Sequence, residues 1–123
     1  MCGIAGSLAL GDDPFIVSPE FVESMRDAMV HRGPDGYGVW VSPNKRIGLG
    51  HRRLSIIDLS DAAAQPMSNA DGRLQLVFNG EIYNYRELRS ELQSLGCHFH
   101  SASDTEVLLQ AWAQWGQASL ARL

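Results

Sequence analysis

The chain has 123 residues, 45% of them apolar and 20% charged, and a formal net charge of −4. This is the balance of one ordinary globular domain with a core of its own. No uninterrupted apolar run approaches the roughly 18 residues of a membrane span, and the scattered basic residues of a mildly acidic chain argue against a nucleic-acid groove.

The opening Met1-Cys2-Gly3-Ile4-Ala5-Gly6 lacks the positive segment of a secretory signal, so the expected compartment is reducing cytosol. Two cysteines, Cys2 and Cys97, are too few for a disulfide framework or a structural zinc site, and no metal is expected. Residues 3–10 read as a buried strand, so a thiol is held at an ordered terminus. Residues 11–18 form a loop. A helix is expected over 19–31, with Ser18 at the N-cap, Pro19 at the first helical position, and Phe21, Val22, Met25, Ala28 and Met29 on one face. Gly33-Pro34-Asp35-Gly36 stops it.

Residues 37–41 and 46–57 read as strands separated by the Ser42-Pro43-Asn44 turn, and 58–68 as an irregular stretch. Asn69-Ala70-Asp71-Gly72 has hairpin-turn composition, and the alternation through Leu74, Leu76 and Phe78 predicts a half-buried strand interrupted by Asn79-Gly80-Glu81. A second helix is expected over 85–95, where Asn84 and Glu87 have capping-box spacing and Gly96 ends it. A short strand follows over 97–100. Ser103 and Glu106 open a third helix through Trp115, stopped by Gly116, and 117–123 begin another helical turn. The elements lack regular βαβ alternation, so the expected class is α+β.

Several residues carry chemistry as well as a structural alternative. Removal of Met1 would leave the α-amine of Cys2 beside its own thiol. With an ordinary pKa of about 7.7–8.0, that amine is a general base held at the nucleophile by covalent geometry. The same thiol suits a small buried hydrophobe. Asn79-Gly80 offers a side-chain amide and a backbone N–H to an oxyanion, or simply a turn or bulge. Arg52 and Arg53 alternate faces, so only one can enter a site and capture a carboxylate. Asp104 suits a substrate ammonium or the positive end of its own helix. His98 and His100 share a face, and a solvated strand face explains them better than a metal pair.

Five motifs then stand in order and spacing: Met1-Cys2-Gly3-Ile4-Ala5-Gly6, His31-Arg32-Gly33-Pro34-Asp35-Gly36, His51-Arg52-Arg53-Leu54-Ser55-Ile56-Ile57-Asp58, Phe78-Asn79-Gly80-Glu81-Ile82-Tyr83-Asn84 and Ser103-Asp104-Thr105-Glu106. Over essentially its whole length the chain resembles the class II glutamine amidotransferase domain, most closely the N-terminal glutaminase domain of glutamine-hydrolysing asparagine synthetases. The resemblance implies that Cys2 is the N-terminal nucleophile and that Asn79 and the Gly80 backbone form the oxyanion hole. It further implies that Arg53 binds the glutamine α-carboxylate, Glu81 lines the pocket and Asp104 holds the α-amino group. The implied fold is the N-terminal-nucleophile αββα sandwich of two antiparallel sheets between helical layers.

Such domains are longer than 123 residues. The expectation is therefore that residues 1–123 are the N-terminal part of a type 2 amidotransferase domain, incomplete at the C-terminus and aggregation-prone when made alone, with unpaired strand edges. A separate synthetase domain, using ATP and Mg, is implied as missing, and no cofactor is expected in this chain, which lacks any pyrophosphate or Walker-type loop. The implied partners are glutamine and that domain, with no nucleic acid and no membrane, and the full enzyme is of a kind that can form a homodimer. The implied function is release of ammonia from glutamine for ATP-dependent amidation of aspartate. The alternatives are an amidotransferase for another acceptor, such as a sugar or antibiotic precursor, and a non-catalytic truncated remnant.

Overall fold

A computed structural model describes residues 2–12, 14–54 and 61–123, for Asp61 the backbone alone. Residues 55–57 of the expected third strand and 58–60 of the irregular stretch lie outside the described residues, as do Met1 and Asp13. The chain divides into two compact units. The first holds the described residues up to 54 with 64–66 and 77–79, and the second holds 61–63, 67–76 and 80–123.

The first unit is built on strand β1 (Gly3–Leu8), helix α1 (Pro19–Asp27), strand β2 (Gly36–Val41) and strand β3 (Ile47–Arg53). The strands make an antiparallel sheet in the order β1-β3-β2, with Gly3 opposite Arg52, Leu8 opposite Ile47 and Gly36 opposite Arg53. Helix α1 packs on the face that carries Gly48 and Gly50. A Cβ at Gly48 would lie 2.4 Å from Val22 Cγ2 and 2.6 Å from Val17 Cγ1, so the helix approaches closer than any side chain there would permit. Val17 and Val22 are fully buried in that contact.

Ser18 caps α1 as expected, its Oγ accepting from Phe21 N at 3.2 Å. The helix ends at Asp27, earlier than the apolar spacing implied. Met29 N and Arg32 N bond three residues back, to Arg26 O and Met29 O, and the chain tightens into a 3₁₀ turn at Val30–Arg32 before Gly33. Strand β1 is half-buried rather than buried. It is an edge strand of the described sheet, and the face away from α1 leaves Ile4 and Leu8 exposed.

The second unit contains a short hairpin, strands β4 (Met67–Ser68) and β5 (Gln75–Leu76), then helices α2 (Tyr85–Ser94) and α3 (Asp104–Trp115) and a 3₁₀ segment at Gly116–Arg122. Gly72 supplies the positive φ of +72° that the hairpin turn needs. Leu74, Leu76 and Phe78 are half-buried as the alternation required, yet only Gln75–Leu76 forms a ladder. The core of this unit includes Ile82, Leu88, Leu92, Val107, Leu109 and Ala111.

Two local expectations do not hold. Asn84 makes no side-chain cap on α2. Its amide Nδ2 donates instead to Arg122 O at 2.7 Å. Residues 97–100 form no strand, because side chains take up their backbone groups. Gln110 Nε2 donates to His98 O at 3.3 Å, and His100 N donates to Glu106 Oε1 at 2.8 Å. The described chain is thus α+β with antiparallel sheets. None of its described helices is long and apolar enough to cross a membrane.

Candidate functional site

Cys2 sits one residue before β1, half-buried and unoxidised. Its Sγ accepts from Leu54 N at 3.3 Å and lies 3.6 Å from Leu54 O, a position from which the thiol can also donate. Its own carbonyl accepts from Arg32 Nε at 3.2 Å. The thiol is therefore fixed against the peptide that follows Arg53. By alternation along the sheet, Cys2 and Arg53 belong to the face turned away from α1.

The loop over 33–35 braces this end of β3. A Cβ at Gly33 would lie 2.5 Å from the Arg52 carbonyl carbon, and Asp35 N donates to Arg53 O at 3.0 Å. The Gly33-Pro34-Asp35 run thus places main chain where a side chain would collide. Arg53 is half-buried.

Arg52 takes the other face. Its guanidinium pairs with Asp27 at the end of α1 and stacks over the Tyr37 ring at 5.2 Å, with Arg26 over the same ring at 4.7 Å. Arg26 also pairs with Asp27 at 2.8 Å. Hydrogen bonding from Arg26 foremost, with Arg52 adding to it, holds the Asp27 carboxyl below its usual range.

His51 is fully buried on the same face as Cys2, opposite Ile4 and Gly38. Neither ring nitrogen reaches hydrogen-bond geometry. Burial pushes its pKa below 6.5. The Phe78 backbone draws it back up to a smaller extent, and the Arg53 charge adds slightly to the lowering.

Asn79 is exposed at the end of the segment 77–79 of the first unit. The residue before it, Phe78, donates its N–H to the buried Gln65 side chain, N to Oε1 2.6 Å.

In the second unit Gly80 and Glu81 are exposed, and Ile82 N donates to Asp104 Oδ2 at 3.0 Å. Asp104 is 6% exposed at the first position of α3, where the helix N-terminus favours its charge. Ser103 Oγ caps the helix through Glu106 N at 3.2 Å. The Glu106 carboxylate does not return to Ser103 N as a capping box would. It accepts instead from Ser101 N at 2.7 Å and Ser101 Oγ at 2.6 Å, which fixes the loop leading into Asp104.

Within the first unit the structure therefore sets Cys2 beside the Arg53–Leu54 peptide. Within the second it ties Asp104 to the backbone that follows Glu81. Arg32 and the Leu54 peptide bond Cys2, Gln65 bonds the Phe78 backbone, and none of the three was singled out from sequence. Arg32 lies inside a recognisable motif, whereas Gln65 falls in a stretch with no periodicity to mark it. His98 and His100 are exposed, and the described residues contain no group of three or more His, Cys, Asp or Glu able to hold a metal. An open cavity of about 330 Å³ in the second unit, lined by Asn69, Asp71, Arg73, Leu74, Trp112 and Ala113, includes none of the sequence-predicted residues.

Comparison with known proteins adds the family. The glutamine amidotransferase domain family matches residues 1–123. Asparagine synthetase [glutamine-hydrolyzing] 1 of Bacillus subtilis (strain 168) is 40% identical over all of this chain. Amidase chry2 of Gibberella zeae is 35% identical over all of it. A putative asparagine synthetase [glutamine-hydrolyzing] 2 of Methanocaldococcus jannaschii is 37% identical over 94% of it. The chain spans only 19%, 19% and 24% of these relatives' own lengths.

Proposed function

The chain belongs to the glutamine amidotransferase domain family, and from that premise we propose that it hydrolyses the side-chain amide of glutamine through Cys2. With Met1 removed, the Cys2 α-amine accepts the thiol proton and the thiolate attacks the amide carbon. The Asn79 side chain and the Gly80 N–H donate to the oxyanion of the tetrahedral intermediate. The protonated amine returns its proton to the departing ammonia. Water then cleaves the γ-glutamyl thioester, releasing glutamate. Arg53 holds the substrate α-carboxylate, Asp104 its ammonium, and Glu81 lines the pocket.

The observation that carries this reading is the Cys2 thiol pinned to the Leu54 peptide, next to Arg53 on one sheet face, in a chain that matches the family over its whole length. The exposed Ile4, Leu8 and Ile47 on that face support a second layer packed against it, and we propose the αββα sandwich as the complete architecture. Residues 1–123 would then form the N-terminal part of that domain.

The identities to asparagine synthetases support aspartate as the ammonia acceptor, amidated by an ATP- and Mg-dependent synthetase domain elsewhere in a longer protein. A different acceptor is the second reading, favoured by the equally complete match to an amidase. We place the protein in the reducing cytosol, where a thiol nucleophile stays unpaired.

The test is glutamine-dependent ammonia release. In the longer protein, Cys2→Ala abolishes it and leaves any amidation from added ammonia by the synthetase domain intact. Glutaminase activity surviving in Cys2→Ala contradicts the assignment.

A further inference from the structure

The proposed oxyanion donor Asn79 has no regular structure to hold it. Strand β5 ends at Leu76, and Asn79 itself is exposed. An oxyanion hole works only when its donors are fixed before the charge develops, so something must replace the missing ladder. Gln65 is placed to do so. It is buried, and its main-chain carbonyl lies against β2 so closely that a Cβ at Gly38 would stand 2.1 Å from the oxygen. From that anchor the side-chain Oε1 reaches the Phe78 N–H at 2.6 Å. The peptide entering Asn79 is thereby tied to β2 through one buried amide. On the sheet face that carries Gly38, His51 is fully buried.

We infer that Gln65 is a positioning residue of the glutaminase reaction: its buried carbonyl oxygen fixes the Phe78 backbone and so aims the Asn79 amide at the developing oxyanion. This rests on the reading of Asn79 as an oxyanion donor. Gln65 touches neither the substrate nor the reacting atoms. Its effect falls on the reaction rate at saturation, because Arg53 and Asp104, which grip the α-carbon, are held by other contacts.

The probe is a glutamine analogue with an electrophilic ketone in place of the amide, whose labelling of Cys2 passes through an oxyanion. Gln65→Met keeps the length and apolar stem but lacks the acceptor, and a misplacement of about 1 Å costs on the order of a hundredfold. Labelling at saturation by Gln65→Met is therefore expected to slow by about tenfold to a hundredfold, with the half-saturating concentration unchanged. Gln65→Glu, which keeps an acceptor oxygen, recovers most of the rate. Asn79→Ala is slow as well, and the double variant Gln65→Met/Asn79→Ala is no slower than Asn79→Ala alone. Wild-type labelling in Gln65→Met while Asn79→Ala is slow overturns the role of Gln65 and leaves the functional reading standing. Wild-type labelling in Asn79→Ala removes the oxyanion reading and the inference with it. A measurement on the unaltered chain stands apart from the folding of any variant. The Phe78 amide exchanges slowly with solvent deuterium if Gln65 holds it, and exchange at the rate of a free amide overturns the inference.

Discussion

Adjacent arginines on a strand meet different surroundings. Arg52 is engaged by Asp27 and Tyr37 on the α1 face, whereas Arg53 shares the opposite face with Cys2. Truncating one partner of a desolvated charge pair costs about 2–5 kcal/mol. Arg53→Ala is therefore expected to lower kcat/KM for glutamine by at least tenfold while the thermal transition barely moves. Arg52→Ala is expected to do the reverse, lowering Tm through loss of the α1 contact with little change in kcat/KM. Greater damage to glutamine use from Arg52→Ala than from Arg53→Ala would contradict the side-chain register. This distinction was legible in the sequence, since alternation alone separates the two faces. The partners of Arg52 were not, because Asp27 and Tyr37 lie far from it along the chain. His51 yields a second expectation. Its folded-state pKa lies below 6.5, so the unfolded chain binds more protons as the pH falls. Its contribution to stability is fully present above the unfolded value and is lost on acidification, at no more than about 1.4 kcal/mol per pH unit. Urea midpoints at pH 7.5 and pH 5 should differ more for the wild type than for His51→Gln, and equal differences would count against this account.

Helix α1 is seated by the absence of side chains beneath it. A Cβ at Gly48 meets Val22 Cγ2 and Val17 Cγ1, so Gly48→Ala forces the helix outward, at a cost of about 1–3 kcal/mol. Pairing it with Val22→Ala should return part of that loss in thermal unfolding. Failure of the second change to restore any Tm would show that the helix does not rest on Gly48. At α3, Ser103→Ala removes the cap and should cost about 1 kcal/mol, with glutamine use weakened as the segment carrying Asp104 loosens. The helices were legible because their signals are local: Ser18 with Pro19, and Ser103 followed by Glu106, mark starts that the structure keeps. Their companions were less so. Glu106 and Asn84 have capping-box positions in sequence, yet the first bonds the loop at Ser101 and the second bonds Arg122 O. A side chain with several reachable partners chooses by tertiary packing, which spacing does not contain. The absence of a strand over 97–100 has the same origin. Its residues have strand composition, but helix side chains bind the backbone groups that a ladder would need.

The whole chain divides into two compact units. Cys2, Arg53 and Asn79 belong to the first, and Gly80, Glu81 and Asp104 to the second. All six are proposed from the motifs that carry them. The contacts of Arg32, Gln65 and the Leu54 peptide were not legible in the sequence, because they join distant parts of the chain. The match to the Bacillus subtilis relative covers the whole chain and 19% of that relative's length. The central claim is that Cys2, with a free α-amine, is both nucleophile and base, and one measurement bears on it directly. The protein is incubated with the ketone analogue of glutamine and its intact mass and N-terminal peptide are recorded. The expected result is a chain that begins at Cys2, one analogue bound per chain, and the adduct on Cys2 alone, with excess glutamine protecting against it. A protein that retains Met1 yet hydrolyses glutamine, or one labelled at Cys97 with Cys2 untouched, would contradict it.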